Sequence, residues 1–93
     1  MAFENGSFDA TLAAAAGDDP ALLAELRRTF CESVDRQVDL LGRARCDGNW
    51  VLAAMRLRGL ATSFHAGELG DLAEEALSAA PGDPVVIRRL KKH

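Results

Sequence analysis

The sequence predicts an all-α protein, an antiparallel up-down four-helix bundle with a short extra helix at its N-terminus. Three observations carry this. The composition is rich in Ala, Leu, Glu and Arg and contains no Tyr, which favours helices over strands. Apolar residues recur at spacings of three and four, and nowhere does the chain show strand-like alternation. Short turn-like breaks divide it into five segments, and short connections make neighbouring helices antiparallel. With 93 residues, 48% of them hydrophobic, the chain suffices for one domain with one core, spanning 1–93.

The first segment, about 7–16, carries Phe8, Leu12, Ala15 and Ala16 at helical spacing. Gly17-Asp18-Asp19-Pro20 stops one helix and starts the next, with Asp19 as N-cap and Pro20 at the first helical position. The second segment, about 20–44, holds the strongest periodic signal: Leu22, Leu26, Phe30, Val34, Val38 and Leu41. Asp47-Gly48-Asn49 reads as a turn. The third segment, about 49–65, places Trp50, Ala54, Leu57, Ala61 and Phe64 on one side, and Ala66-Gly67 reads as a further break. The fourth, about 67–79, carries Leu69, Leu72, Ala73 and Ala76. Pro81-Gly82-Asp83-Pro84 repeats the stop-and-start device, with Asp83 as cap. The fifth segment carries Val86 and Leu90 and ends in Lys91-Lys92-His93, with two lysines that suit a helix C-terminus. It is short for a bundle helix, as it would be in a fragment of a longer protein.

Composition excludes several classes of function. A net charge of −3 leaves no electrostatic footprint for a phosphate backbone, so nucleic acid is not an expected partner. No apolar run approaches the roughly 20 residues of a membrane span. The alanine run Ala13–Ala16 lacks a basic region before it and follows Glu4 and Asp9, so it reads as helix and not as a signal peptide; a cytoplasmic protein is expected. Cys31 and Cys46 fall roughly 20 Å apart if the helix between them is regular, too far for a bridge. The two histidines, His65 and His93, stand in no metal-ligand spacing, and neither a metal nor another cofactor is expected. Ser33, Ser63 and Ser78 have no base nearby in sequence, and Glu74-Glu75 and Asp18-Asp19 point different ways as neighbours on a helix. An enzyme with its own reaction is not indicated.

The informative part is the far side of the third segment. With Leu57 at 0° and about 100° per residue, Val51 falls near 120°, Thr62 near 140°, Met55 near 160°, Gly59 near 200° and Leu52 near 220°, with Arg58 flanking near 100°. This is an outward surface of apolar groups beside an arginine. Scattered exposed apolar residues are ordinary, and the first helix could cover them. A contiguous group rimmed by charge instead marks a docking surface. Gly59 favours the second reading: a helix-interior glycine costs roughly 1 kcal/mol against alanine, which a close approach by another chain would explain.

Met55-Arg56-Leu57-Arg58-Gly59 resembles the signature of histidine-phosphotransfer (HPt) domains, His-x-Leu-Lys-Gly on the second bundle helix. The likeness continues through Ala61, Ser63, Phe64, Ala66, Leu69 and Leu72, and the helix order agrees over nearly the whole chain. The resemblance implies a four-helix bundle of phosphorelay and two-component signalling. In that family an exposed histidine exchanges a phosphoryl group with receiver-domain aspartates, the basic residue three positions on assists, and the glycine leaves room for the docked receiver. Leu57, Arg58 and Gly59 match their positions. Met55 stands where the histidine would be, and a thioether has no nitrogen to form a phosphoramidate. His65 is a second departure, at a position commonly glycine in the family. The implied function is a phosphotransfer-like module without its acceptor, which binds a response-regulator receiver domain or a histidine kinase through Val51, Leu52, Met55, Arg58, Gly59 and Thr62. An active carrier using His65, and a purely structural dimerisation bundle, are the alternatives.

Overall fold

The computed structural model describes residues 6–92; Glu4 and His93 lie outside them. Among the described residues there are five helices and no strand: α1 (Gly6–Ala16), α2 (Pro20–Arg43), α3 (Asp47–Phe64), α4 (Gly67–Ser78) and α5 (Pro84–Lys92).

α1 buries Phe8, Leu12 and Ala16, one residue per turn. Ala15, expected in the core, is exposed: α1 packs on α2 and α3 alone, so it buries one narrow stripe. Gly17, at φ +64°, ends the helix in the left-handed conformation that glycine adopts without strain. The Asp19 carboxylate then accepts from the N–H groups of Ala21 and Leu22 at 3.0 and 3.2 Å, and Pro20 opens α2.

Phe30, Val34, Val38 and Leu41 of the α2 stripe are buried. Its first two members are not: Leu22 is exposed and Leu26 half-buried. The reason is length. Phe64 ends α3 with its ring 4.9 Å from that of Phe30, so the first turns of α2 run past the end of α3. The Phe8 ring, 4.7 Å from Phe30 and 6.4 Å from Phe64, joins α1 to both helices.

Asp47-Gly48-Asn49 is the first turn of α3 and not a free turn. The break comes earlier, at Cys46, whose extended backbone (φ −144°) sets the N-cap. Gly48 and Asn49 sit where helix N–H groups lack intrahelical partners in any case, so turn-forming residues cost little there. Ala53 joins the core beside Trp50, Ala54, Leu57 and Ala61. The break at 65–66 is made by His65, which adopts φ +56°. α4 buries Leu69, Leu72, Ala73 and Ala76; α5 buries Val86 and Leu90, after Asp83 accepts from the N–H of Val85 at 2.9 Å.

α3 packs between α2 and α4, and α5 packs on α4 and α2, which closes a ring around one hydrophobic core. No close backbone approach links α2 with α4, or α3 with α5. α1 lies outside the ring against α2 and α3. The molecule measures 43 × 20 × 18 Å, its length set by α2. Arg27–Asp9, Arg43–Asp39 and Arg89–Glu75 pair at the surface, where such contacts add little stability. No helix among the described residues is long and apolar enough to cross a membrane.

Candidate functional site

Which side of α3 faces out is decided by Trp50. Its ring is buried, and its indole N–H donates to the Ala76 carbonyl near the end of α4, at 2.8 Å. A buried indole N–H without an acceptor would cost about 1–3 kcal/mol, so this bond sets the rotation of α3 against α4. A second contact reinforces it. A Cβ built on Gly70 would lie 3.5 Å from that of Ala61, so α3 and α4 approach closely at their other end.

With Trp50, Ala54, Leu57 and Ala61 turned inward, the opposite side carries Val51 (39% exposed), Leu52 (47%) and Met55 (47%). α1 does not cover them. Gly59 is exposed in the same face, and nothing lies within 4 Å of where its Cβ would be. No packing among the described residues therefore asks for glycine. Thr62 is exposed, but its hydroxyl donates to the Arg58 carbonyl at 3.0 Å, leaving its methyl group as the outward contribution. Arg58 is half-buried, and its guanidinium donates to Glu74 of α4 at 3.3 Å. All six residues expected to bind a partner thus share one side of the molecule, with Arg58 tethered at its edge.

Three features were missed in the sequence. The first is Glu74 as the partner of Arg58, a contact between helices that no local pattern announces. The second is Leu40, 43% exposed, which shares a groove between α2 and α3 with Leu52. Arg43, Asn49 and Arg56 also line this groove. The signal was available: in Leu40-Leu41 only one of two adjacent residues can face the core of a helix. The third is the backbone of His65. Its imidazole is exposed, and its N–H donates to the Thr62 carbonyl at 3.4 Å in the helix cap. Beside it lies a shallow depression lined mainly by small residues of α3, α4 and the start of α1.

Met55 has no nucleophilic nitrogen, and the face offers apolar groups, an arginine and open space over a glycine. Among the described residues no group of three His, Cys, Asp or Glu side chains is placed to hold a metal ion. Cys31 is half-buried and Cys46 exposed. Compared with protein-family models, with curated proteins and with solved structures, the chain matches none.

Proposed function

We propose that the chain is an HPt-like docking module, an up-down four-helix bundle with one added helix, that binds a receiver or histidine-kinase domain without carrying phosphate. The observation that supports this best is the exposed group Val51, Leu52 and Met55 around Gly59, whose missing side chain serves no contact among the described residues. The closed ring of α2, α3, α4 and α5, with α1 outside it, accords with the bundle. Losing the acceptor histidine removes phosphotransfer but leaves the contact energy. Burying an exposed Met or Val side chain against a partner is worth roughly 1.5–3 kcal/mol. Methionine adapts to an irregular pocket. Arg58 can turn from Glu74 toward a partner's carboxylates, because an exposed ion pair holds it only weakly.

The test is a titration of the isotopically labelled chain with isolated receiver and kinase domains, read by amide chemical shifts. Shifts should centre on Val51, Leu52, Met55, Gly59 and Thr62. Met55→Asp should weaken binding by at least about tenfold, a loss of roughly 1.4 kcal/mol, without unfolding the protein. Shifts confined to α4 and α5, or binding indifferent to Met55→Asp, would place the docking surface elsewhere.

A further inference from the structure

α2 has a second stripe besides the one in the core. Leu22, Leu26, Thr29, Ser33, Arg36 and Leu40 follow one another at spacings of four and three, and all are exposed or half-buried. That rhythm brings a row of side chains onto one helix face, the pattern with which two helices lie side by side. Leu22 and Leu40 are 18 positions apart, a whole number of turns at about 100° per residue, so they point the same way about 27 Å apart.

Charge along this face is uneven. Its N-terminal end carries Glu25, with Asp18 and Asp19 just before the helix, and its C-terminal end carries Arg36 and Arg43, with Arg56 of α3 lining the same groove as Arg43. Arg43 also pairs with Asp39, whereas Glu25 and Arg36 have no ion-pair partner among the described residues.

We infer that this face binds a second copy of the chain, with the two α2 helices antiparallel about a two-fold axis near position 31. Leu22 with Leu40 and Thr29 with Ser33 both share that midpoint. The axis therefore brings each pair together twice. Leu22 of one copy seats in the groove that Leu40 and Leu52 line on the other. Glu25 lies across from Arg36, and the short side chains of Thr29 and Ser33 let the helices approach at the centre. A parallel, in-register pairing would instead set Arg36 against Arg36 and Glu25 against Glu25. The antiparallel arrangement is self-complementary and closed, so it ends at a dimer. It also covers Leu52, one edge of the α3 face, but it stands whether or not that face docks a signalling domain.

Sedimentation velocity of the full chain tests this, from about 1 to about 500 µM, where a modest interface titrates. A monomer–dimer transition that weakens with added salt is expected, because the pairs are exposed. Glu25→Arg and Arg36→Glu each set like charges across the interface, and each should raise the dissociation constant at least about tenfold. Equimolar mixing of the two variants should restore dimers, because each copy then meets its opposite at both contacts. Both positions are exposed, so helical circular dichroism should not change. Monomers throughout the range, association that neither reversal weakens, or failure of the mixture to associate would overturn the inference.

Discussion

At the scale of single residues, two positions carry a backbone cost that the fold itself does not require. Gly59 lies inside α3 with open space where its side chain would be. Gly59→Ala should therefore stabilise the isolated protein by about 0.5–1 kcal/mol, measured by urea unfolding. If the same substitution weakens partner binding, the glycine serves the partner; if it stabilises and leaves binding intact, the glycine serves neither. His65 presents the opposite case. It holds φ +56° at the end of α3, where a side chain is disfavoured by roughly 1 kcal/mol and glycine is not. His65→Gly should raise the melting temperature by a few degrees, provided the relief exceeds the entropy glycine adds to the unfolded chain. A lower melting temperature would show that the added unfolded-chain entropy, or a stabilising contact of the imidazole, outweighs the relief. Position 65 could be flagged from the sequence only through the family resemblance, where glycine is usual. The left-handed backbone is what gives that preference a physical reason.

At the scale of helices, the limits of the sequence reading follow from what periodicity measures. It reports the side of a helix that turns inward and says nothing of how far its neighbours reach. The α2 stripe was legible from Leu22 to Leu41, but burial begins in earnest only at Phe30, where α3 first lies alongside. Truncation costs should rank accordingly. Phe30→Ala should cost about 3–5 kcal/mol, Leu26→Ala clearly less, and Leu22→Ala within about 1 kcal/mol, because cavity energy scales with the packing removed. Equal costs at Leu22 and Phe30 would mean that the start of α2 is covered in solution, as it would be in the dimer, and repeating the measurement at low concentration separates the two. The caps were legible because they are local: Asp19 and Asp83 both accept from the N–H two residues on. The bond from Trp50 to Ala76 was not, since it joins residues 26 positions apart. Trp50→Phe keeps most of the apolar volume and removes the indole donor, leaving that carbonyl only its bond from the Ala79 N–H at 3.3 Å. It should cost about 0.5–1.5 kcal/mol in unfolding free energy.

At the scale of the whole molecule, the proposed likeness to phosphotransfer domains makes a chemical test possible: whether the arrangement would accept a phosphoryl group if position 55 held a histidine. Met55 is 47% exposed on an ordered helix, and Arg58 stands three positions on, next to it on the same side. Met55→His would set an imidazole there. Transfer from a receiver's aspartyl phosphate would then break the P–O bond to the aspartate and form a P–N bond to the imidazole, with no other reactant needed. Arg58 would neutralise charge on the phosphoryl group, but Glu74 competes for it at 3.3 Å. That competition gives the prediction a graded form. Met55→His should acquire acid-labile label from a phosphorylated receiver where the unsubstituted chain acquires none. Adding Glu74→Gln should speed the transfer, because the arginine is then released. Label on the unsubstituted chain that disappears in His65→Ala would instead show that His65 is an acceptor and that the module was never silent. If neither Met55→His nor the double variant takes label from a receiver that binds the chain, the bundle holds its partner in a geometry that does not present the phosphoryl group to position 55. Docking would then be a role distinct from an arrested transfer.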